Sequence, residues 1–240
     1  MTRDGFICRS GNLSSITSKG LETLRELHIS TIISLTDSKE AEVLYANDPL
    51  YSGNLKGFKL LKFPLYQEDF DKKRLFAKYS RYALEGQIVI AQEYVAILRA
   101  GPAIIRNILL QILDNPGEVY IIHCSMGKDR TGIVFAILLS LAGVSKETVS
   151  EEYSLNEVAL EPLLPKISAL AQRIAPCSSS EIQGRRVAQE AIKSSKDAML
   201  LTLQMVEAEF GGVIRYVKEI CGLSAEDIEL IQHHLIQKRR

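Results

Sequence analysis

Cys124 and Arg130 stand six positions apart, with His123 directly before the cysteine, Gly127 between them and Thr131-Gly132 directly after the arginine. A thiolate is a strong nucleophile, and a helix N-terminus beside an arginine is the setting that activates a cysteine. An arginine also grips two oxygens of a phosphate in one bidentate fork. Five intervening residues make a loop short enough for its backbone N–H groups to converge on one anion. These residue types in this order point to phosphoryl chemistry. Cys124 is the candidate nucleophile and Arg130 the candidate clamp. The N–H groups of Ser125, Met126, Gly127, Lys128, Asp129 and Arg130 form the candidate cradle. A leaving oxygen needs a proton, and Asp129 is the nearest carboxylate in sequence.

Such a loop needs rigid elements on both sides. Val119-Tyr120-Ile121-Ile122 is short, apolar and rich in β-branched residues and tyrosine, which reads as a buried strand. Ile133 to Leu139 is apolar throughout and reads as a buried helix. Strand, tight loop and helix together aim N–H groups and a helix N-terminus at the position after the strand.

The run from His123 to Gly132 resembles the signature loop of the cysteine-dependent phosphatases. With Lys128-Asp129 ahead of Arg130 it is similar to the tyrosine/serine and lipid phosphatase family of bacteria and fungi. The resemblance implies an α/β fold like that of protein tyrosine phosphatases: a central, mostly parallel, twisted sheet flanked by helices, with a helical C-terminal part. It implies a cysteinyl-phosphate intermediate, no cofactor and no metal. Phosphotyrosine or phosphoserine proteins and phosphoinositides are the implied substrates. It casts His123 as the residue that orients Cys124, and Thr131 as a donor to the sulfur. Arg9 and Ser10, in Arg9-Ser10-Gly11-Asn12, match a stretch that lies near the catalytic loop in the family. Lys128 would add a second positive charge at the mouth, since the Lys–Asp pairing accompanies phosphoinositide activity. Many phosphatases keep a separate acid on a loop after a strand, which makes Asp69 a rival to Asp129 and Asp71 a weaker one. One position departs from the family: a strand that usually ends in Asp-Leu-Arg reads Ser34-Leu35-Thr36 here. The alternative function is a phosphate-binding module with weak or no turnover.

Composition bounds the remaining classes. The chain has 240 residues, 46% of them hydrophobic, enough for one sizeable core, and it is read as a single domain over 1–240. Lys+Arg and Asp+Glu are 29 each, so no basic excess points to nucleic acid. No apolar stretch is long enough to span a bilayer, and the start lacks the apolar core of a signal peptide. The four cysteines and four histidines show no metal-ligand spacing. A reducing cytosol is the expected setting. Oligomeric state is left open.

Elsewhere the chain alternates strands and helices. Phe6-Ile7-Cys8, Ile29 to Leu35 and Phe58 to Leu65 read as strands. Thr17 caps a helix, Ser38 to Ala46 begins as one, and 47–57 reads as loop. From Lys72 to Asp114 the pattern is helical almost throughout, with a start at Pro102 and a stop at Asn115-Pro116-Gly117. Those helices either pack on the sheet or form a lid over the site. Ser145 caps the next helix, and Pro162 and Pro165 bracket a break. Pro176 through Arg186 is small and polar, and reads as a loop or a weakly ordered surface segment. Helices follow from Ala198 to Phe210 and from Val213 to Ile220, and Ser224 with Asp227 forms a capping box for the last.

Overall fold

The computed structural model describes residues 2–44, 55, 57–66, 72–174 and 181–236. Four strands form one sheet: β1 (Ile7–Ser10), β2 (Thr31–Ser34), β3 (Lys59–Lys62) and β4 (Tyr120–His123). Their order is β1-β4-β2-β3 and every pairing is parallel. The strand expected to carry the loop, β4, is therefore central. Ser10 and Ser34 flank His123 in register on either side, so three strand ends meet at one edge. In open parallel sheets that carboxyl edge is where ligands bind.

β2 and β4 are buried along their whole length. Parallel sheets covered on both faces have this character. Alternate side chains enter opposite layers. Ile32 and Ile121 join Leu13, Leu24 and Ile29 on the side of α1 (Ser18–Glu26). Ile33, Tyr120 and Ile122 face the larger, helix-built core.

The helical layer contains α2 (Ser38–Leu44), α3 (Lys72–Glu85), α4 (Gln87–Ala100) and α5 (Pro102–Asp114). After β4 come α6 (Asp129–Leu141), α7 (Lys146–Leu160), α8 (Leu164–Ile174), α9 (Glu181–Ile192), α10 (Lys196–Phe210) and α11 (Ala225–Leu235). The caps follow the chemistry read from sequence. Thr17 and Ser145 accept from backbone N–H groups of the first turns, and Ser224 and Asp227 make the reciprocal box.

Three readings change. The Pro162–Pro165 break is only a 3₁₀ turn, Glu161–Leu163, with each proline near a helix start where its missing N–H costs nothing. Residues 181–186, expected as loop, belong to α9. Gly184 lowers helix propensity there, but its missing Cβ admits Gln172 of α8, whose Cγ would stand 3.1 Å from a Cβ. Packing thus overrides propensity. The segment after Val213–Arg215 passes into a π turn, Tyr216–Ile220, around the buried Tyr216. Of the helices expected as packing or lid, α4 and α5 bury a full face: Val89, Tyr94, Leu98, Ile105, Ile108 and Ile112 are core residues. Among the described residues, no single helix is long and apolar enough to cross a membrane.

Candidate active site

β4 ends at His123, and Cys124 follows with 2% of its surface exposed. Helix α6 begins at Asp129, and Lys128 at its N-cap makes no side-chain capping bond. The first N–H groups of a helix have no partner inside it. Without a capping side chain, those of α6 are left for an anion beside Cys124, with the positive end of the helix dipole behind them.

The loop bends sharply at Gly127, whose φ of +70° is strained for any other residue. A Cβ there would also lie 2.4 Å from the carbonyl oxygen of Ser10. The loop is therefore pressed onto the end of β1, and the Arg9-Ser10-Gly11-Asn12 stretch braces it. Arg9 Nη2 donates to Gly127 O at 2.7 Å, and Asn12 N donates to Ser125 O at 3.0 Å. Arg9 Nη1 in turn holds both carboxylate oxygens of Glu152 on α7, at 2.7 and 2.8 Å. The hydroxyl of Ser10 bonds locally to Gly11 O. Arg9 thus touches the loop directly, while Ser10 meets it through its backbone.

On the other side the loop is tied to β2. Leu35 N donates to His123 O at 2.8 Å, and Arg130 Nη1 donates to Leu35 O at 3.3 Å. The guanidinium of Arg130 is forked by Glu40 of α2: Nη1 to Oε2 at 2.7 Å and Nη2 to Oε1 at 2.6 Å. Burial alone would penalise the Arg130 charge, but Glu40 outweighs it and the guanidinium is held more firmly protonated than usual. Thr36, where the family carries an arginine, is buried at the end of β2.

His123 is wholly buried, with Nδ1 3.2 Å from the carbonyl oxygen of Cys124. That contact fixes the imidazole against the backbone of the cysteine. Thr131 is also wholly buried, but its hydroxyl makes no hydrogen bond among the described residues. A bond from Thr131 to the sulfur is not formed in this state.

The Lys–Asp pair departs most from expectation. Lys128 is not at the mouth; it is 1% exposed, and its ammonium points into the helical layer. Asp129 accepts from Tyr94 Oη at 2.5 Å, and Tyr94 Oη is 2.7 Å from Tyr153 Oη. Burial would raise the Asp129 pKa. Lys128, Lys78, the Tyr94 hydroxyl and Arg130 together pull it below the ordinary carboxylate value. The Tyr94 phenol is pushed well up, by burial first and by Asp129 second, so it stays a donor. Asp69 and Asp71, the rival carboxylates, lie outside the described residues, as does the cysteine at 177.

A sequence model of the tyrosine phosphatase family matches residues 1–237. The chain belongs to that family. It is 24% identical over 148 residues to a tyrosine-protein phosphatase of Nostoc commune, a match covering 62% of this chain. The chain spans about half, 49%, of that relative's length. It is 26% identical over 191 residues to the triple specificity protein phosphatase PtpB of Mycobacterium tuberculosis, covering 71% of this chain and 68% of PtpB. Among the described residues, no cluster of His, Cys, Asp or Glu could hold a metal ion.

Glu40, Tyr94, Tyr153 and Glu152 were not singled out from sequence. Glu40 sits in Ser38-Lys39-Glu40-Ala41-Glu42, where nothing separates it from Glu42. Tyr94 carried a usable signal. It is a hydroxyl inside the apolar run of α4, and a buried tyrosine hydroxyl usually has a partner.

Proposed function

We propose that this chain is a phosphomonoester hydrolase that works through a cysteinyl-phosphate, acting on phosphotyrosine or phosphoserine proteins or on phosphoinositides. The observation that carries the reading is Cys124 at the end of the central strand, before the N-terminus of α6, which has no side-chain cap, with Arg130 in the first turn of that helix. Membership of the tyrosine phosphatase family supports the reaction class. The names of the two relatives support a phosphorylated protein as substrate, and the triple specificity of PtpB widens the range of phosphoesters worth testing.

In this reading Cys124 Sγ attacks phosphorus. The S–P bond forms as the P–O bond to the leaving group breaks, and the leaving oxygen takes a proton from an acid. Water then attacks the phosphocysteine, releasing inorganic phosphate and the thiolate. Covalent catalysis divides one difficult step into two easier ones. The loop N–H groups and Arg130 stabilise the equatorial oxygens in both steps. Burial of Cys124 and His123 keeps the nucleophile's surroundings dry, so each of those interactions is stronger than in water.

Asp129 is poorly suited to supply the proton in the free protein, because its neighbours hold it as an anion. A general acid works best with a pKa near the operating pH. We assign Asp129 to shaping the loop, which leaves Asp69, its rival by resemblance, as the candidate acid.

The test is phosphate release from p-nitrophenyl phosphate, phosphopeptides and soluble phosphoinositides by the wild type and by Cys124→Ser. The reading requires release by the wild type, none by the variant, and vanadate binding by both. Binding without release in the wild type would assign the phosphate-binding module instead.

A further inference from the structure

The Lys128 side chain turns away from the phosphate loop's centre, into the helical layer. Its Nζ donates to Ala191 O at 2.7 Å and to Lys193 O at 3.2 Å. It stands 3.6 Å from Asp129 Oδ1 and 5.4 Å from the centre of the Tyr79 ring. An ammonium has three N–H donors. The two carbonyls take two of them, and the Asp129 carboxylate stands at ion-pair distance.

The two carbonyls belong to the end of α9, which stops at Ile192. The last carbonyls of a helix have no partner within it, and a lysine is favoured there both as a donor and as a charge at the negative end of the dipole. Lys128 therefore caps a helix 63 residues further along the chain. Asp129 balances the charge, and the Tyr94 and Tyr153 hydroxyls close the network from α4 and α7. Tyr79, Tyr94 and Tyr153 wall it off from water. Burial lowers the proton affinity of Lys128, against the pull of Asp129, and two carbonyl acceptors favour the charged form.

We infer that Lys128 is a positioning residue whose side chain ties the phosphate loop to the C-terminal end of α9 and makes no contact with substrate, its backbone N–H alone belonging to the cradle. This rests on the function proposed above and narrows it. The loop recognises one phosphate monoester, and a second phosphate on an inositol ring gains nothing from Lys128.

Two measurements decide it. The first needs neither a variant nor turnover: brief lysine acylation of the wild type, with and without vanadate, read by mass spectrometry. Lys128 is expected among the slowest lysines to label, with no change on adding vanadate. Ready labelling that vanadate suppresses would overturn the inference.

The second compares Lys128→Met with wild type on p-nitrophenyl phosphate and on a short-chain phosphatidylinositol bisphosphate. The tie predicts that kcat falls on both by the same factor, about tenfold or more, with the ratio of the two KM values unchanged. It also predicts faster hydrogen exchange at the last turn of α9. A KM rise confined to the bisphosphate would show that Lys128 reads the headgroup. Should Lys128→Met misfold, Lys128→Met with Asp129→Asn removes both charges of the pair and is assayed in the same way. If the wild type releases phosphate from neither ester, the proposed function has failed, and labelling still decides the place of Lys128.

Discussion

Glu40 holds Arg130 end-on, and among the described residues the other edge of the guanidinium has no partner. Among the described residues, the two bonds to Glu40 and the one from Nη1 to Leu35 O engage three of the five N–H groups of Arg130. The two left over are Nε–H and one N–H of Nη2, which together form the side-on fork. A fork of that kind matches two oxygens of a phosphate. The pair is largely buried, with 14% of the Arg130 side chain and 7% of the Glu40 side chain exposed.

Glu40→Gln therefore keeps the volume but replaces a charged fork with one weaker acceptor. A misplaced clamp costs roughly 10-fold to 100-fold in rate, and kcat/KM is expected to fall within that range while the fold persists. Glu40→Ala leaves a buried arginine without its partner, a change that destabilises by about 3 kcal/mol or more. Steady-state kinetics on the first variant and urea unfolding of the second check both. Wild-type kcat/KM in Glu40→Gln would show that the fork does not aim Arg130.

Arg130→Lys is not a conservative change here. A lysine has no planar edge, so it cannot hold Glu40 and two phosphate oxygens at once. Both vanadate affinity and kcat are expected to drop, by about tenfold or more each. Calorimetric titration with vanadate, alongside kinetics, separates the two effects.

The two carboxylates are distinguished by leaving group. An acid matters most when the leaving alkoxide is poor, as with alkyl phosphates, and least for p-nitrophenol. Asp129 is held as an anion by Lys128, Lys78, the Tyr94 hydroxyl and Arg130. Asp129→Asn is accordingly expected to slow both esters by similar factors, and Asp69→Asn to slow the alkyl ester far more. The opposite pattern would make Asp129 the acid.

The same environment sets a pH dependence of stability. The folded-state pKa of Asp129 lies below its ordinary value of 3.8. Its carboxylate thus contributes stability that is fully present above about pH 4 and lost as pH falls through the lower folded value. The gap in thermal stability between wild type and Asp129→Asn should be widest at neutral pH and close below pH 4. Melting curves from pH 7 down to pH 3 measure it. A gap independent of pH would mean that the carboxylate's charge does not stabilise the fold.

Much of this could be read from residue order alone. The strand, loop and helix around Cys124 are local, and their apolar runs and turn residues carry the signal within one stretch of chain. Arg9 is singled out only through the resemblance of Arg9-Ser10-Gly11-Asn12 to a stretch of the family, since the residues by themselves signal no more than a turn. Glu40 and Tyr94 were not, because their roles exist only when α2 and α4 are packed beside the loop. Lys128 was misplaced for the same reason. A lysine two residues before an arginine in a phosphate loop looks like added charge for a ligand. Only the end of α9, with its unpaired carbonyls, explains why it turns inward. α9 itself was half hidden by Gly184, which reads as a loop residue until α8 is seen against it.

The most direct test of the account is to look for the covalent intermediate. Wild-type protein is mixed with p-nitrophenyl phosphate, quenched in acid within the first turnovers, digested and read by mass spectrometry. One phosphoryl group on the peptide carrying Cys124, absent in Cys124→Ser and lost on a longer chase without substrate, is the predicted result. Phosphate release by the wild type with no phosphorylated Cys124 peptide, together with turnover retained in Cys124→Ser, would contradict it.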